Sequence, residues 1–156
     1  MNDLPTIHAS VVLVGARALL IRGPAGSGKS RLVLNLLQGA SNGLLTFARL
    51  VADDRVLVSA AHARLIAQPP AALAGLLEVR GLGIQQLQYE PMAVVSWVID
   101  LDVATTMRMP EGAAAQAVIA GVSLPRMAVA RGWDPVPMVV AAVRSSHAVV
   151  RSAPQP

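Results

Sequence analysis

Apolar residues along this chain come mostly in short runs closed off by Gly, Pro, Asp or Arg, and only a few stretches carry helical spacing. Short closed runs predict buried strands; apolar residues at 32, 33, 36 and 37 predict a helix over Arg31–Leu37. His8–Val14 predicts a first strand, Gly15-Ala16-Arg17 a turn and residues 18–22 a returning strand, so the chain opens on a hairpin. With the turn centred on Gly15-Ala16, His8 lies opposite Gly23; with it centred one residue later, opposite Ala25. Either register brings His8 beside the segment that follows the hairpin.

Further along, Gln38–Gly43 reads as a loop, and Leu50–Ala52 as a short strand ending in Asp53-Asp54. Arg55–Ser59 and Arg64–Ala67 read as another hairpin. Pro69-Pro70 opens a short helix over Ala71–Leu77, with proline tolerated in its first turn. Ala93–Ile99 is a strongly apolar strand that stops at Asp100. Ala117–Ile119 and Val122–Leu124 flank Ala120-Gly121 as a last hairpin. Asp134 caps a helix from Pro135 to about Ser145. Residues 151–156 are expected to be a disordered tail after a single domain over 1–150. Strands outnumber helices, so an α/β fold built on a strand-rich mixed sheet is expected rather than strict β-α alternation.

Between the second strand and the first helix stands Gly23-Pro24-Ala25-Gly26-Ser27-Gly28-Lys29-Ser30, the G-x-x-x-x-G-K-S pattern of a phosphate-binding loop (P-loop). Gly26 and Gly28 permit torsions that aim successive N–H groups at a phosphate. Lys29 brings a compact positive charge, and it is the only lysine in the chain. Ser30 offers a hydroxyl to Mg²⁺. The helix that starts beside it turns its positive dipole end to the same anion. Asp53 and Asp54, adjacent on an extended backbone, point to opposite sides and are expected to do different jobs. A carboxylate at a buried strand end can hold Mg²⁺ or take a proton from a hydroxyl nucleophile. Glu78 and Arg80 share one side of an extended segment, and Gly81 and Gly83 then allow close backbone approach. His62 and His147 read as surface residues.

The composition narrows these options. The sequence is 54% hydrophobic, yet Asp, Arg, Gly or Pro interrupts its apolar runs before the length that spans a bilayer, so no membrane partner is expected. The first residues lack the basic start and apolar run of a secretory signal. There is no cysteine, which excludes a disulfide framework and a thiolate metal site. The net charge of +4 is spread over scattered arginines, with few aromatic residues to stack on bases, so nucleic acid is not an expected partner. A cytoplasmic protein that binds an anionic nucleotide fits this balance. The apolar surplus in so small a chain predicts a homo-oligomer.

Four features in order resemble the catalytic domain of bacterial HPr kinase/phosphorylase. These are His8-Ala9 ahead of the P-loop, the P-loop itself, Leu50-Val51-Ala52-Asp53-Asp54, and Leu77-Glu78-Val79-Arg80-Gly81-Leu82-Gly83-Ile84. The last is close to the family's L-E-I-R-G-L-G-I signature. The resemblance spans roughly residues 7–130. It implies a sheet like the nucleotide-binding core of phosphoenolpyruvate carboxykinase. It also implies transfer of phosphate from ATP, with Mg²⁺, to a serine of an HPr-like phosphocarrier, and in many members the reverse reaction. Carried over by motif, Asp53 is the general base and His8 its support. Lys29 binds the transferring phosphate, and Ser30 and Glu78 ligate Mg²⁺. Arg108, in Met107-Arg108-Met109-Pro110, takes the place of a later catalytic arginine. Asp54, Arg80, Gly81, Gly83 and Arg126 belong to the substrate-side and signature loops.

Three departures stand out. Arg31 replaces the family's Glu after the P-loop serine, the connection over 39–49 is longer, and the P-x-R-P-G-R loop is reduced to Pro125-Arg126. With His8 so near the start, the sequence resembles the short alphaproteobacterial form without the N-terminal domain of longer members. These features leave kinase chemistry intact and the reverse reaction open. A second reading is a non-catalytic ATP-binding regulatory sensor.

Overall fold

The computed structural model describes residues 5–145. Strands β2 (Ser10–Val14) and β3 (Arg17–Arg22) form the opening hairpin. Their register is the first of the two expected, pairing Ser10 with Ile21 and Val14 with Arg17. The strand expected over His8–Val14 is, however, two strands. β1 (Thr6–His8) leaves the hairpin at Ala9 and pairs with β5 (Arg55–Ala61), so that His8 lies opposite Arg55 rather than Gly23.

The remaining elements are α1 (Lys29–Ser41), β4 (Ala48–Ala52), β6 (Arg64–Gln68), β7 (Leu76–Val79), β8 (Gly83–Gln86), β9 (Ala93–Val103), β10 (Gln116–Ile119), β11 (Val122–Ala130) and α2 (Pro135–Arg144). Nine strands share one mixed sheet in the order β1-β5-β6-β9-β3-β2-β4, with β11 added beside β9 and β10 beside β11. β7 and β8 form a separate hairpin. β3 and β11 both run parallel to β9. β4 is antiparallel to β2, which is antiparallel to β3. The strands β4, β3, β9 and β11 therefore all point the same way, and their carboxyl ends meet along one edge of the sheet. In open α/β sheets this is where ligands bind.

Both faces of the sheet are covered, which explains why its central strands are apolar without alternation. Val11, Leu20, Val56, Leu65 and Val98 pack in one core. Val12, Leu19, Ile21, Leu32, Leu36 and Ile99 pack in the other, under α1 and α2. Neighbouring residues such as Leu19 and Leu20 thus serve opposite cores, as a period of two requires.

Two local expectations change. The loop read over Gln38–Gly43 is largely helix, since α1 continues to Ser41. Gly39 sits inside it because a Cβ there would come within 3.3 Å of Leu45 Cδ1, so its reason is packing rather than breaking. The helix expected over Ala71–Leu77 is one 3₁₀ turn, Ala71–Leu73, followed by β7. Gly75 ends it with φ +77°; a Cβ there would lie 2.4 Å from Gln86 Nε2 and 2.9 Å from Leu87 O. α2 starts as expected, with Asp134 Oδ1 accepting from Val136 N at 3.0 Å. The tail expected over 151–156, and His147, lie outside the described residues. No helix among the described residues is long and apolar enough to cross a membrane.

Candidate active site

The loop Gly23–Ser30 leaves the carboxyl end of β3 and enters α1. Gly26 (φ +79°) and Gly28 (φ +98°) both hold left-handed torsions that favour glycine. A Cβ at Gly23 would lie 2.5 Å from Ser27 Oγ, so the loop also needs its first glycine for space. Gly28 is the N-cap of α1 and, among the described residues, no side chain caps that end and no acidic residue stands in the first turn. The leading N–H groups of α1 are thus left for an anion, whereas α2 satisfies its own end with Asp134. Among the described residues, Ser27 Oγ is buried without a hydrogen-bond partner. These orphaned donors fit a phosphate group.

Lys29 is buried, and its Nζ donates to Gly23 O at 2.8 Å and Pro24 O at 3.1 Å. Burial holds its ammonium below the usual lysine range, partly offset by the nearby charges of Asp54 and then Asp53. An ammonium has three donors, so one remains for a phosphate oxygen.

The Asp53-Asp54 pair closes β4 against the same edge. Arg55 N donates to Asp53 O at 2.8 Å across Asp54, whose φ is +67°. This three-residue turn sends the two carboxylates apart. Asp53 turns inward and is 7% exposed, whereas Asp54 turns outward. Asp53 Oδ1 accepts from Ser10 Oγ at 2.7 Å and from Ser30 Oγ at 2.8 Å; Ser30 Oγ also lies 3.0 Å from Oδ2. The backbone N of Glu78 makes a longer approach to Oδ2, at 3.4 Å. A buried carboxylate fixed on its hydroxyl-facing side and touching the phosphate loop can take a proton from a nucleophile brought to the phosphate.

His8 does not meet Asp53. Its Nε2–H donates to Asp54 Oδ1 at 2.8 Å, because β1 follows β5 instead of the P-loop hairpin. The residue against Asp53 is Ser10, fully buried and absent from the sequence-based reading. Its signal was present, as a lone hydroxyl inside an apolar strand needs a partner when buried.

Glu78 lies in β7 opposite Ile84, with its side chain exposed while its backbone touches Asp53. Arg80 and Gly81 (φ +84°) form the turn to β8, closed by Leu82 N donating to Val79 O at 2.9 Å. Arg80 points to solvent, as does Arg108 on the loop after β9, which leaves from the same sheet edge as the P-loop. Among the described residues, no group of three or more His, Asp or Glu side chains could hold a metal ion. Mg²⁺ keeps several waters and takes one or two carboxylates plus substrate phosphates, so a nucleotide-borne ion does not require such a group.

One further charged group borders the loop. Arg22 Nε and Nη2 donate to Asp100 Oδ1 and Oδ2 at 2.7 and 2.9 Å, and Arg126 Nε donates to Oδ2 from the other side. Arg126 Nη1 also reaches Ala114 O at 3.0 Å. Arg126 is therefore held by β9 rather than free in a loop. Burial pushes the Asp100 carboxyl up, but the hydrogen bonds and charges of Arg22 and Arg126 outweigh it and leave it below the usual range. Its folded-state pKa being lowered, this stabilisation is present above the ordinary carboxylate range and lost as pH falls through the lowered value. Asp100→Asn is expected to cost about 2 kcal/mol at neutral pH. The deficit, measured as a shift of the urea midpoint, should shrink as the pH is taken below the carboxylate range.

A family model described as HPr Serine kinase C-terminal domain matches residues 2–94. The HPr kinase/phosphorylase of Clostridium tetani is 40% identical over 78 residues, covering 50% of this chain and 23% of the relative. That of Enterococcus faecalis is 36% identical over 80 residues, covering 51% and 24%. The chain thus matches about a quarter of the length of these curated relatives. The solved structure described as the Hpr(Ser) kinase/phosphatase from Coxiella burnetii superposes with a TM-score of 0.72 at 21% identity, covering 90% of this chain and 89% of that one. At that identity the likeness is one of fold: a strand-rich mixed sheet with few helices.

Proposed function

The chain belongs to the HPr serine kinase C-terminal domain family, and on that premise we propose that it transfers the terminal phosphoryl group of ATP to a serine of an HPr-like phosphocarrier. The observation that supports this most is the contact between Asp53 and Ser30 Oγ, at 2.8 and 3.0 Å. It sets a buried carboxylate directly beside the end of the phosphate loop, where an incoming hydroxyl meets the phosphate.

In this reading Asp53 takes the proton of the substrate serine. The serine oxygen forms a bond to the terminal phosphorus, the bond to the diphosphate oxygen breaks, and ADP leaves. Lys29 and the first N–H groups of α1 bind the phosphates and neutralise their charge. Ser10 holds Asp53 in orientation, and the His8–Asp54 pair braces the turn that separates the two carboxylates. Ser30 and Glu78 would hold Mg²⁺, which supplies charge neutralisation at the phosphate oxygens when bound. Arg80 and Arg108, both exposed, would face the arriving carrier. The reverse reaction would have Asp53 return the proton to the serine oxygen. A cytoplasmic location and self-association belong to the same reading. The exposed Leu82, Ile84, Met107 and Met109 are surfaces that such contacts would cover, and mass in solution tests the association.

The test mixes the protein with labelled ATP, Mg²⁺ and an HPr-like carrier and looks for acid-stable phosphoserine on the carrier. Label on the carrier is the expected result. ATP binding with no transferred label would sink the kinase reading and leave an ATP-binding sensor in its place.

A further inference from the structure

A cavity of about 430 Å³ opens beside the phosphate loop, between the start of α1 and the start of α2. Its walls include Ser27, Arg31 and Asn35 from the loop and α1, and Trp133 and Asp134 from the turn after β11. The volume lies in the range of small-molecule sites. Gly28, Arg31 and Asn35 follow one stripe of α1, at spacings of three and seven, and Ser30 lies off that stripe, turned to Asp53. The cavity thus adjoins the phosphate loop at Ser27 and Gly28, next to where a triphosphate would bind.

Trp133 is the unusual feature there. The chain has two tryptophans, one tyrosine and one phenylalanine, and this indole is 76% exposed. Its backbone is fixed all the same: Trp133 N donates to Ala130 O at 3.1 Å, after Gly132 turns the chain with φ +84°. An exposed, positioned indole at the rim of a cavity that continues a phosphate site is a platform for a flat ring. Ser27 Oγ, buried and unpartnered among the described residues, also borders this cavity. Arg31 adds a positive charge to the cavity wall beside the loop.

We propose that this cavity is the nucleoside subsite of the enzyme, with the Trp133 indole stacking on the base. The inference rests on the reading of Gly23–Ser30 as a triphosphate loop and adds to it the part of the ligand that the loop cannot recognise. Stacking accepts any base, so the subsite separates a nucleotide from a bare polyphosphate rather than one nucleotide from another.

The experiment compares binding of a non-hydrolysable ATP analogue and of inorganic tripolyphosphate by titration calorimetry, on the full chain and on Trp133→Ala. The variant should bind the analogue about tenfold more weakly, the scale of one stacked base, and tripolyphosphate as before. Trp133→Phe should recover most of the loss. Equal weakening of both ligands, or no change in analogue affinity, overturns the subsite. If the unaltered chain binds neither ligand, the triphosphate reading itself fails and the subsite falls with it. Trp133 lies outside both cores, so the substitution leaves their packing intact.

Discussion

Asp53→Asn should lower phosphoryl transfer to the carrier by about 10³-fold, within the range of general acid–base catalysis, and leave nucleotide affinity within about threefold. The amide is nearly isosteric, and its oxygen can still accept from Ser10 Oγ and Ser30 Oγ, which hold the carboxylate at 2.7 and 2.8 Å. The turn at Asp54 and the pairing of β4 with β2 do not depend on the lost charge. What disappears is the ability to take a proton. Single-turnover transfer measured beside calorimetric binding separates the two effects. Turnover equal to that of the unaltered chain would remove Asp53 from the role of base. A loss of nucleotide binding as large as the loss of transfer would instead make Asp53 a binding residue.

Lys29→Ala should weaken nucleotide binding by roughly 10- to 100-fold, the value of a charge-assisted hydrogen bond to phosphate. Transfer should fall further, by about another 10²-fold, because charge shifts within the phosphates as the bond to the leaving group breaks. The chain has no second lysine to stand in. Lys29→Arg should not rescue it: Nζ reaches Gly23 O and Pro24 O as a compact point donor in a buried position, and a planar guanidinium cannot take that geometry. The measurement is the same pair of titrations and transfer rates. Undiminished binding would exclude Lys29 as a phosphate ligand. Asp53→Asn separates catalysis from binding, whereas Lys29→Ala affects both.

The parts of this site that were legible in the sequence are local ones. The P-loop is continuous in the chain, and its glycines are explained by torsions and by space within eight residues. Asp53-Asp54 shows itself by ending an apolar run. The L-E-V-R-G-L-G-I segment shows itself by composition and order, although its start as a strand was hidden behind Ala71–Leu77, where alanine and leucine favour helix until Gly75 must meet Leu87 and Gln86. What could not be read depended on distant pairing. His8 and Ser10 face different aspartates because the chain changes sheet partner at Ala9, and no local feature announces that change. The bond from Ser10 to Asp53 requires β2 to lie beside β4, with Val11 opposite Ala52. The Arg22–Asp100–Arg126 cluster joins three strands that are adjacent only in the folded sheet. Trp133 in sequence is an ordinary residue before a helix, and it gains meaning only when α2 starts next to α1.

The change of partner at Ala9 also bears on the order in which the molecule becomes competent. The P-loop and the first turn of α1 are neighbours in sequence and need little loop closure to form. The support around the two aspartates spans 43 residues from Ser10 to Asp53 and 46 from His8 to Asp54, and contacts of that separation are slow to establish. By that measure the phosphate loop is a local feature, whereas the setting of the two aspartates depends on distant strands pairing.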